Sequence, residues 1–535
     1  MSDFWSLLKN EDNYTYTENG AVAYKSSLNK CLDMFATFGS VRHITENDKE
    51  RYSEMFVDAL AEDAVMAMKV IFYIRDVRGG QGARAIFRLC METLLSVDEN
   101  MLKAVIGLIP EYGRWDDLFG LIKFRNTKVN GVILEYVAKT LATDIESNTP
   151  SLLAKWMPSE TASNREQKKL AAYFANRLFK GNKRAYRTVL STLRKRIKVV
   201  ESSMSAKKWD IDFSAVPSKA SLIYQNAFYK HNPEGYEKYL RDVAAGKAKI
   251  NAATLFPVDI VKKVEELPYN STKRETFVLD AMWNALPNYL EGKDETGLCV
   301  VDVSGSMSGT PMQVAVSLGL YCAERAKGPY HNKFITFSAR PDLVEVRGEN
   351  IVEKVRNMKR ANWSMNTDIE AVFDLILDTA VRNRLPQSEI PNKLYIISDM
   401  QFDQARSEYD YWYNRRRKPS ANESTFMSII KRKFAAAGYE MPLLVYWNVS
   451  EGKTGIFQET VGGEQCCMVS GFSPSLFKAV IEGTSLVEEE ITTETGEKKT
   501  VTVQKLNPLD MMVKTLSNPR YDLVELAIKG VLEKV

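Results

Sequence analysis

Histidine is nearly missing from this 535-residue chain, which has three. His43, His231 and His331 lie so far apart that a histidine-based triad or a His-rich metal site could arise only by folding, and no local motif suggests one. Cysteine is scarce too. The six cysteines are scattered, without CxxC spacing, and Cys466 and Cys467 are adjacent, which argues against a structural zinc site and suits reduced thiols. No apolar run approaches the roughly 18 residues needed to cross a bilayer, and the start "MSDFWSLLKNEDNY" lacks the basic-then-apolar order of a signal peptide. A cytoplasmic protein with no membrane partner is expected. The net charge of +4 is small against 72 basic and 68 acidic residues, so only local asymmetry can speak about partners.

At this length two or three domains are expected. From about Phe35 to Leu290 the sequence reads as helix after helix. Segments such as "ERYSEMFVDALAEDAVMAMKVIFYIRDV" and "NREQKKLAAYFANRLF" place apolar residues three and four apart. Connectors such as "RGGQGA" and "IPEYGRWDD" are short and carry breakers, which favours a stacked, HEAT-like helical array, although no strict repeat period is found. After Lys293 the rhythm becomes strand then helix: "GLCVVDVS", "KFITFS", "KLYIISD" and "MPLLVYWNVS" alternate with helical segments. The reading is α + α/β, an N-terminal all-helical array followed by a doubly wound parallel sheet of Rossmann-like form. Four segments are expected: a helical module over 1–294, an α/β domain over 295–484, an exposed hairpin or flexible insertion over 485–504, and a helical segment over 505–535.

In such a sheet the binding crevice lies at the carboxyl ends of the strands. The strand "LCVV" delivers Asp302 there, and the following turn places Ser304 and Ser306 beside the acid, with Gly305 and Gly309 letting the backbone curl. An acid with hydroxyls is a hard-oxygen set suited to Mg²⁺ or Mn²⁺. "MNTDIEAV" presents Thr367 and Asp368 at a helix start on the same edge, and "YIISDMQFD" ends a strand with Asp399. The plain alternative is a turn composition in which Thr367 only caps a helix with Glu370, and the two roles are compatible. Asp368 and Asp403 have ordinary roles as helix-start and loop-capping acids and stay outside the set.

Between Arg165 and Lys208 the chain is strongly basic, opposed only by Glu166 and Glu201. Lys183, Arg184, Arg187, Arg194, Lys195, Arg196, Lys198, Lys207 and Lys208 form its densest part, with Tyr173, Phe174, Phe179, Tyr186 and Trp209 interleaved. Such a segment either neutralises phosphates and stacks unpaired bases or is a solvated helical face whose aromatics point inward. "RDVRGGQGAR" adds Arg78 and Arg84 around three glycines. It lacks the GK[ST] ending of a P-loop, and a tight inter-helix turn is the simpler account of it.

D-x-S-x-S, then Thr, then Asp resembles the metal-ion-dependent adhesion site of von Willebrand factor type A domains. The resemblance implies that Ser304, Ser306 and Thr367 touch the metal directly, that Asp302 and Asp399 stand near it or act through water, and that the metal grips a carboxylate of a protein ligand. Asn366 occupies the position where that pattern usually has glycine. A helical array before such a domain resembles the Ro autoantigen family, whose TROVE module binds small structured RNAs. "RDVRGGQGAR", "YGRWDDL", "VPSKAS", "VVDVSGSM" and "IISDMQFD", in this order, resemble a TROVE-related family of plants and large tailed phages. What this implies is an RNA-binding ribonucleoprotein component. The alternative is a Mg²⁺-dependent protein-interaction scaffold without nucleic acid. A metal-dependent nuclease or phosphatase needs more clustered carboxylates than the sequence offers, so no catalytic residue is expected.

Overall fold

The computed structural model describes residues 13–16, 22–122, 127–197, 199–268, 271–291, 297–337, 341–358, 369–400, 426–450, 465–492 and 498–534. Helices fill most of the described chain up to Asn284, and their starts are locally encoded. Asn164 accepts from the amides of Glu166 and Gln167 to open helix Arg165–Leu178, and Asn182 accepts from Ala185 to open Lys183–Arg196. The second of these buries only Tyr186, Leu190 and Leu193, at i, i+4 and i+7. Its basic residues therefore fall outside that stripe, with Arg194 at its border.

The helical region is preceded by a small ladder that the sequence pattern does not announce, strand β1 (Tyr14–Tyr16) antiparallel to β2 (Val22–Tyr24). The α/β domain is built on β3 (Leu298–Asp302), β4 (Lys333–Phe337), β5 (Asp342–Glu345), β6 (Lys393–Ser398), β7 (Leu443–Asn448) and β8 (Cys466–Ser470). They form one six-stranded sheet in the order β5-β4-β3-β6-β7-β8. All neighbours are parallel except β4 and β5. The expected all-parallel sheet is thus corrected to a mixed one. The four residues between β4 and β5 cannot make a crossover, which takes a dozen or more, so the chain folds straight back along the edge. Segment 485–504 falls largely within a two-stranded ladder, β9 (Thr484–Thr492) against β10 (Lys498–Leu506), with Thr484 opposite Leu506.

Alternation along the central strands divides the core in two. Cys299, Val301, Tyr395, Ile397, Val445 and Trp447 face helices Thr310–Arg325 and Ser475–Gly483, in a cluster continuous with the helical module. Leu298, Val300, Leu394, Ile396, Leu444 and Tyr446 face the other way, onto Phe373 and Phe434 of helices Ile369–Asn383 and Phe426–Ala436. With both faces covered, each strand reads as an unbroken apolar run.

The helical region meets the α/β domain at both ends. At one end the Gly39 amide donates to Ser470 Oγ over 2.9 Å, and Ser40 Oγ donates to the Ser450 carbonyl over 2.9 Å. Only glycine fits at 39, because a Cβ there would collide with the Ser470 carbonyl. At the other end Trp283 Nε1 donates to Glu324, and the Ile351 amide donates to Asp280 Oδ1 over 2.9 Å. The last helix, Asp522–Leu532, returns to helix Ala64–Arg75, where Glu525 pairs with Lys69 at 2.7 Å. Just before it, Arg520 and the Tyr521 hydroxyl both bond the fully buried Asp76. All six cysteines are buried, and no disulfide joins any two of them. No helix among the described residues is long and apolar enough to cross a membrane.

Candidate functional site

From β3 the chain moves outward to β4 and β5 on one side, then crosses back to β6 on the other. The order reverses between β3 and β6, so their carboxyl ends frame the switch-point crevice of the sheet. Asp302 is the last residue of β3, and Asp399 directly follows β6. Both are fully buried.

After Asp302 the chain turns sharply through a single 3₁₀ turn, Gly305–Met307, and Gly309 takes φ +91° before helix Thr310–Arg325 begins. That turn brings the hydroxyls of Ser304 and Ser306 within 3.0 Å of each other. Asp302 Oδ1 accepts the Ser304 amide at 2.9 Å, and Oδ2 accepts the Ser398 hydroxyl at 2.7 Å. Ser398 Oγ also accepts the Met400 amide at 3.1 Å, while Met400 itself sits at φ +66°. Ser304 is buried and Ser306 exposed, so the hydroxyl pair runs from the crevice floor to solvent. Burial pushes the Asp302 carboxyl up to about 6 against the opposing bonds from Ser398 and Ser304, and the neighbouring Asp399 adds to the rise.

The donor chemistry fits a small hard cation. Neighbouring oxygens around octahedral Mg²⁺ at 2.0–2.1 Å lie about 2.9 Å apart, the spacing that Ser304 and Ser306 present. Among the described residues no group of three or more His, Cys, Asp and Glu could hold a metal ion. The set here is instead two carboxylates with two hydroxyls. Thr367 lies outside the described residues, as do Asn366, Asp368 and Asp403. Two contributors escape a reading of the sequence. Ser398 looks like an ordinary strand end in "IISD", and Lys262 reaches over from helix Pro257–Glu266 to place Nζ 3.4 Å from Thr310 Oγ1.

The basic residues separate into two groups. Arg194 donates to the carbonyls of Ala154 at 2.8 Å and Met157 at 2.7 Å, holding the end of helix Leu153–Trp156. Arg196 donates to the Ile145 carbonyl at 2.7 Å near the end of helix Thr127–Glu146. Arg84 joins Arg75 and Arg88 around Asp116 and Asp117, and Arg78 pairs with Glu111 at 2.8 Å. The guanidinium groups of Arg78, Arg84, Arg194 and Arg196 thus serve contacts within the fold. Lys183, Arg184, Arg187, Lys195, Lys207 and Lys208 stand exposed; Lys183 and Arg187 share Glu160, at 3.8 and 3.5 Å. Lys198 lies outside the described residues. Of the interleaved aromatics, Phe174 and Tyr186 are buried, with the Tyr186 hydroxyl donating to the Pro158 carbonyl at 2.6 Å, and Trp209 stacks on His231 at 4.2 Å. The aromatics of this segment thus mostly support the fold, and the outward face is cationic.

Against known proteins, the chain is 32% identical over 510 residues to the uncharacterized protein L728 of Acanthamoeba polyphaga mimivirus, a match that covers 88% of this chain and 85% of the viral protein. The chain belongs to that protein's family. Two domains of unknown function match in series, DUF2828 over residues 17–97 and 133–295 and DUF7788 over 296–516. The DUF7788 match takes in all six strands of the sheet together with the Asp302–Ser306 turn. The exposed basic residues belong to the DUF2828 match. The arginine cluster straddles its interruption, since Arg75, Arg84 and Arg88 lie within the match and Asp116 and Asp117 within the gap.

Proposed function

We propose that the chain is an RNA-binding component of a ribonucleoprotein, related to the TROVE proteins. In this reading the helical module holds RNA phosphates, and the α/β domain is a type A-like module that binds Mg²⁺ or Mn²⁺ and, through it, a carboxylate of a protein ligand. The observation that carries the RNA half is the outward arc of helix Lys183–Arg196 and its neighbours, where Lys183, Arg184, Arg187, Lys195, Lys207 and Lys208 project with Glu160 the acid paired among them. A surface of this kind binds by neutralising phosphates and releasing counterions. With Phe174 and Tyr186 turned inward, its contacts are to the backbone of the nucleic acid and not to stacked bases.

The metal half is supported by the hydroxyl pair beside two buried carboxylates at the switch point. Asp302, Ser304 and Ser306 with Asp399 would hold the cation, and Thr367 completes the set by resemblance. Bound there, the metal supplies a Lewis-acidic docking point for a carboxylate. Asp302 orders the turn through the Ser304 amide, and Ser398 fixes the Asp302 carboxylate. No nucleophile or general base is assigned, so the reading is binding and not catalysis. A metal-dependent scaffold without RNA is the second reading, favoured by a switch-point turn whose described hydrogen bonds run among Asp302, Ser304, Ser306 and Ser398 and draw on none of the exposed basic residues.

Fluorescence anisotropy with a structured RNA at several salt concentrations tests the first reading. Exchanging Arg184 and Lys195 together for Gln removes two exposed charges and no described hydrogen bond. It is expected to weaken binding and to flatten the slope of log affinity against log salt by roughly 1.5. An unchanged slope would leave the scaffold reading standing.

A further inference from the structure

Helix Asp522–Leu532 is committed to the fold on one face only. Val524 and Ile528 are buried, and the helix packs on helices Ala64–Arg75 and Glu99–Val105. Its outer face is apolar where a solvated helix would be polar. Leu526 is 66% exposed and Leu523 56%, two of the three most exposed large apolar side chains among the described residues. Leu523, Leu526 and Gly530 stand at i, i+3 and i+7, on one stripe. Glycine inside a helix costs stability relative to alanine, and nothing in the fold requires it here, since a Cβ at Gly530 would meet no other described residue.

The order of residues along the helix says what covers this face. Let a second copy lie antiparallel, with a two-fold axis level with the Leu526–Ala527 peptide. Leu523 then stands level with Gly530 of the other copy, and Leu526 with its Ala527, so each leucine meets a small residue and the helices can close up. A parallel pair would instead set leucine on leucine and Asp522 on Asp522. Charge follows the same order. Asp522, Glu525, Lys529 and Glu533 share one flank, and like flanks meet in an antiparallel pair. Lys529 therefore comes between Asp522 and Glu525 of the other copy, and Glu533 reaches the level of its Arg520. Glu525 already has Lys529 and Lys69 of its own chain, at 2.6 and 2.7 Å, whereas Asp522 is exposed and has no cation partner among the described residues. We propose that two copies of this chain pair antiparallel through helix Asp522–Leu532, each seating Leu523 over the other's Gly530. A face about 16 Å long is small beside the roughly 800 Å² per partner of a standard interface, so the dimer is weak and dissociates in the micromolar range. Neither RNA nor a metal takes part in it.

Sedimentation equilibrium of the nuclease-treated full chain, over about a hundredfold range of concentration, tests this. The mass should rise from monomer toward dimer. Leu526→Glu should raise the dissociation constant at least about tenfold without lowering the melting temperature, because the side chain it replaces faces solvent in the monomer. Gly530→Gln fills the seat with a better helix former, so it should weaken the dimer while raising the melting temperature. Opposite signs in one variant cannot come from damage to the helix. Oxidising a mixture of Leu523→Cys and Gly530→Cys chains should give a cross-linked dimer that neither variant gives alone, since like positions lie about 10 Å apart along the axis. A mass that stays monomeric throughout overturns the proposal, as does a dimer that neither substitution weakens, which would put the contact elsewhere on the molecule. A cross-link within one variant alone would show a different register and would equally sink it.

Discussion

Exchanging Asp117 for Asn should cost this protein about 3–5 kcal/mol, and the reason lies with one neighbour. The Asp117 carboxylate has no exposed surface, and it accepts from three guanidinium groups and a backbone amide. Arg75 reaches Oδ2 twice, at 3.0 and 2.7 Å, and the Arg114 amide joins it at 3.0 Å. Arg84 and Arg88 reach Oδ1 at 3.0 and 2.7 Å. Burial alone would raise the Asp117 carboxyl, but Arg75, Arg88 and Arg84 outweigh it and hold it below the usual carboxylate range. Arg84 and Arg88 are more than a third exposed and also pair with Asp116, so they would survive the loss of Asp117. Arg75 is 2% exposed, and its one ion-pair partner among the described residues is Asp117. Asn leaves that cation buried and uncompensated.

Urea denaturation of the full chain at pH 7.5, followed by circular dichroism, reads the loss, with the m-value checked to confirm that the same surface unfolds. Replacing both partners, Arg75→Met with Asp117→Leu, removes the stranded charge and should recover most of it, giving a coupling energy above about 2 kcal/mol. The carboxyl is held low in the fold, so its contribution is present above about pH 4, the unfolded value, and is lost as pH falls through the folded one. A loss under about 1 kcal/mol in Asp117→Asn, or no recovery in the double variant, would show that water reaches the cluster and that the burial argument is wrong.

The same bookkeeping runs the other way at the switch point. In metal-free protein the Asp302 carboxyl is raised to about 6, so the stability it contributes is present below about pH 4 and is lost as pH rises through 6, about 3 kcal/mol in all. Asp302→Asn should remove that loss. In EDTA its urea midpoint should exceed that of the wild type at pH 8 and converge with it near pH 4. Excess Mg²⁺ should raise the wild-type midpoint alone, and parallel midpoints across this range would contradict the assignment. At the other end of the chain, Arg520→Ala strips the buried Asp76 of its cation and leaves it the Tyr521 hydroxyl and the Arg78 and Gly79 amides. A loss of about 2–3 kcal/mol is expected, with faster hydrogen exchange in helix Asp522–Leu532; exchange unchanged from wild type would mean that the clasp does not hold that helix.

What could be read from the sequence follows burial. β3, β6 and β7 are covered on both faces, so "LCVV", "LYII" and "LLVYW" are apolar throughout, and the acids that end the first two stand out as departures. Edge strand β5 has one neighbour, and "DLVE" with Leu343 52% exposed looks like loop. The turn that pairs Ser304 with Ser306 was legible because Gly305 and Gly309 follow the acid just where a strand ends and a helix has to begin. Ser398 was not, because a serine before an aspartate carries no sign that its hydroxyl reaches across to a strand 96 residues earlier. The basic segment shows the same limit more sharply. The spacing of Tyr186, Leu190 and Leu193 says which arc of the helix is buried, and so which cations face out. It cannot say that Arg194, at the border of that arc, lies against the open carbonyls of Ala154 and Met157. Composition counts Arg194 and Lys195 alike as positive charge; only the fold decides that the first closes a helix end and the second remains available to a phosphate.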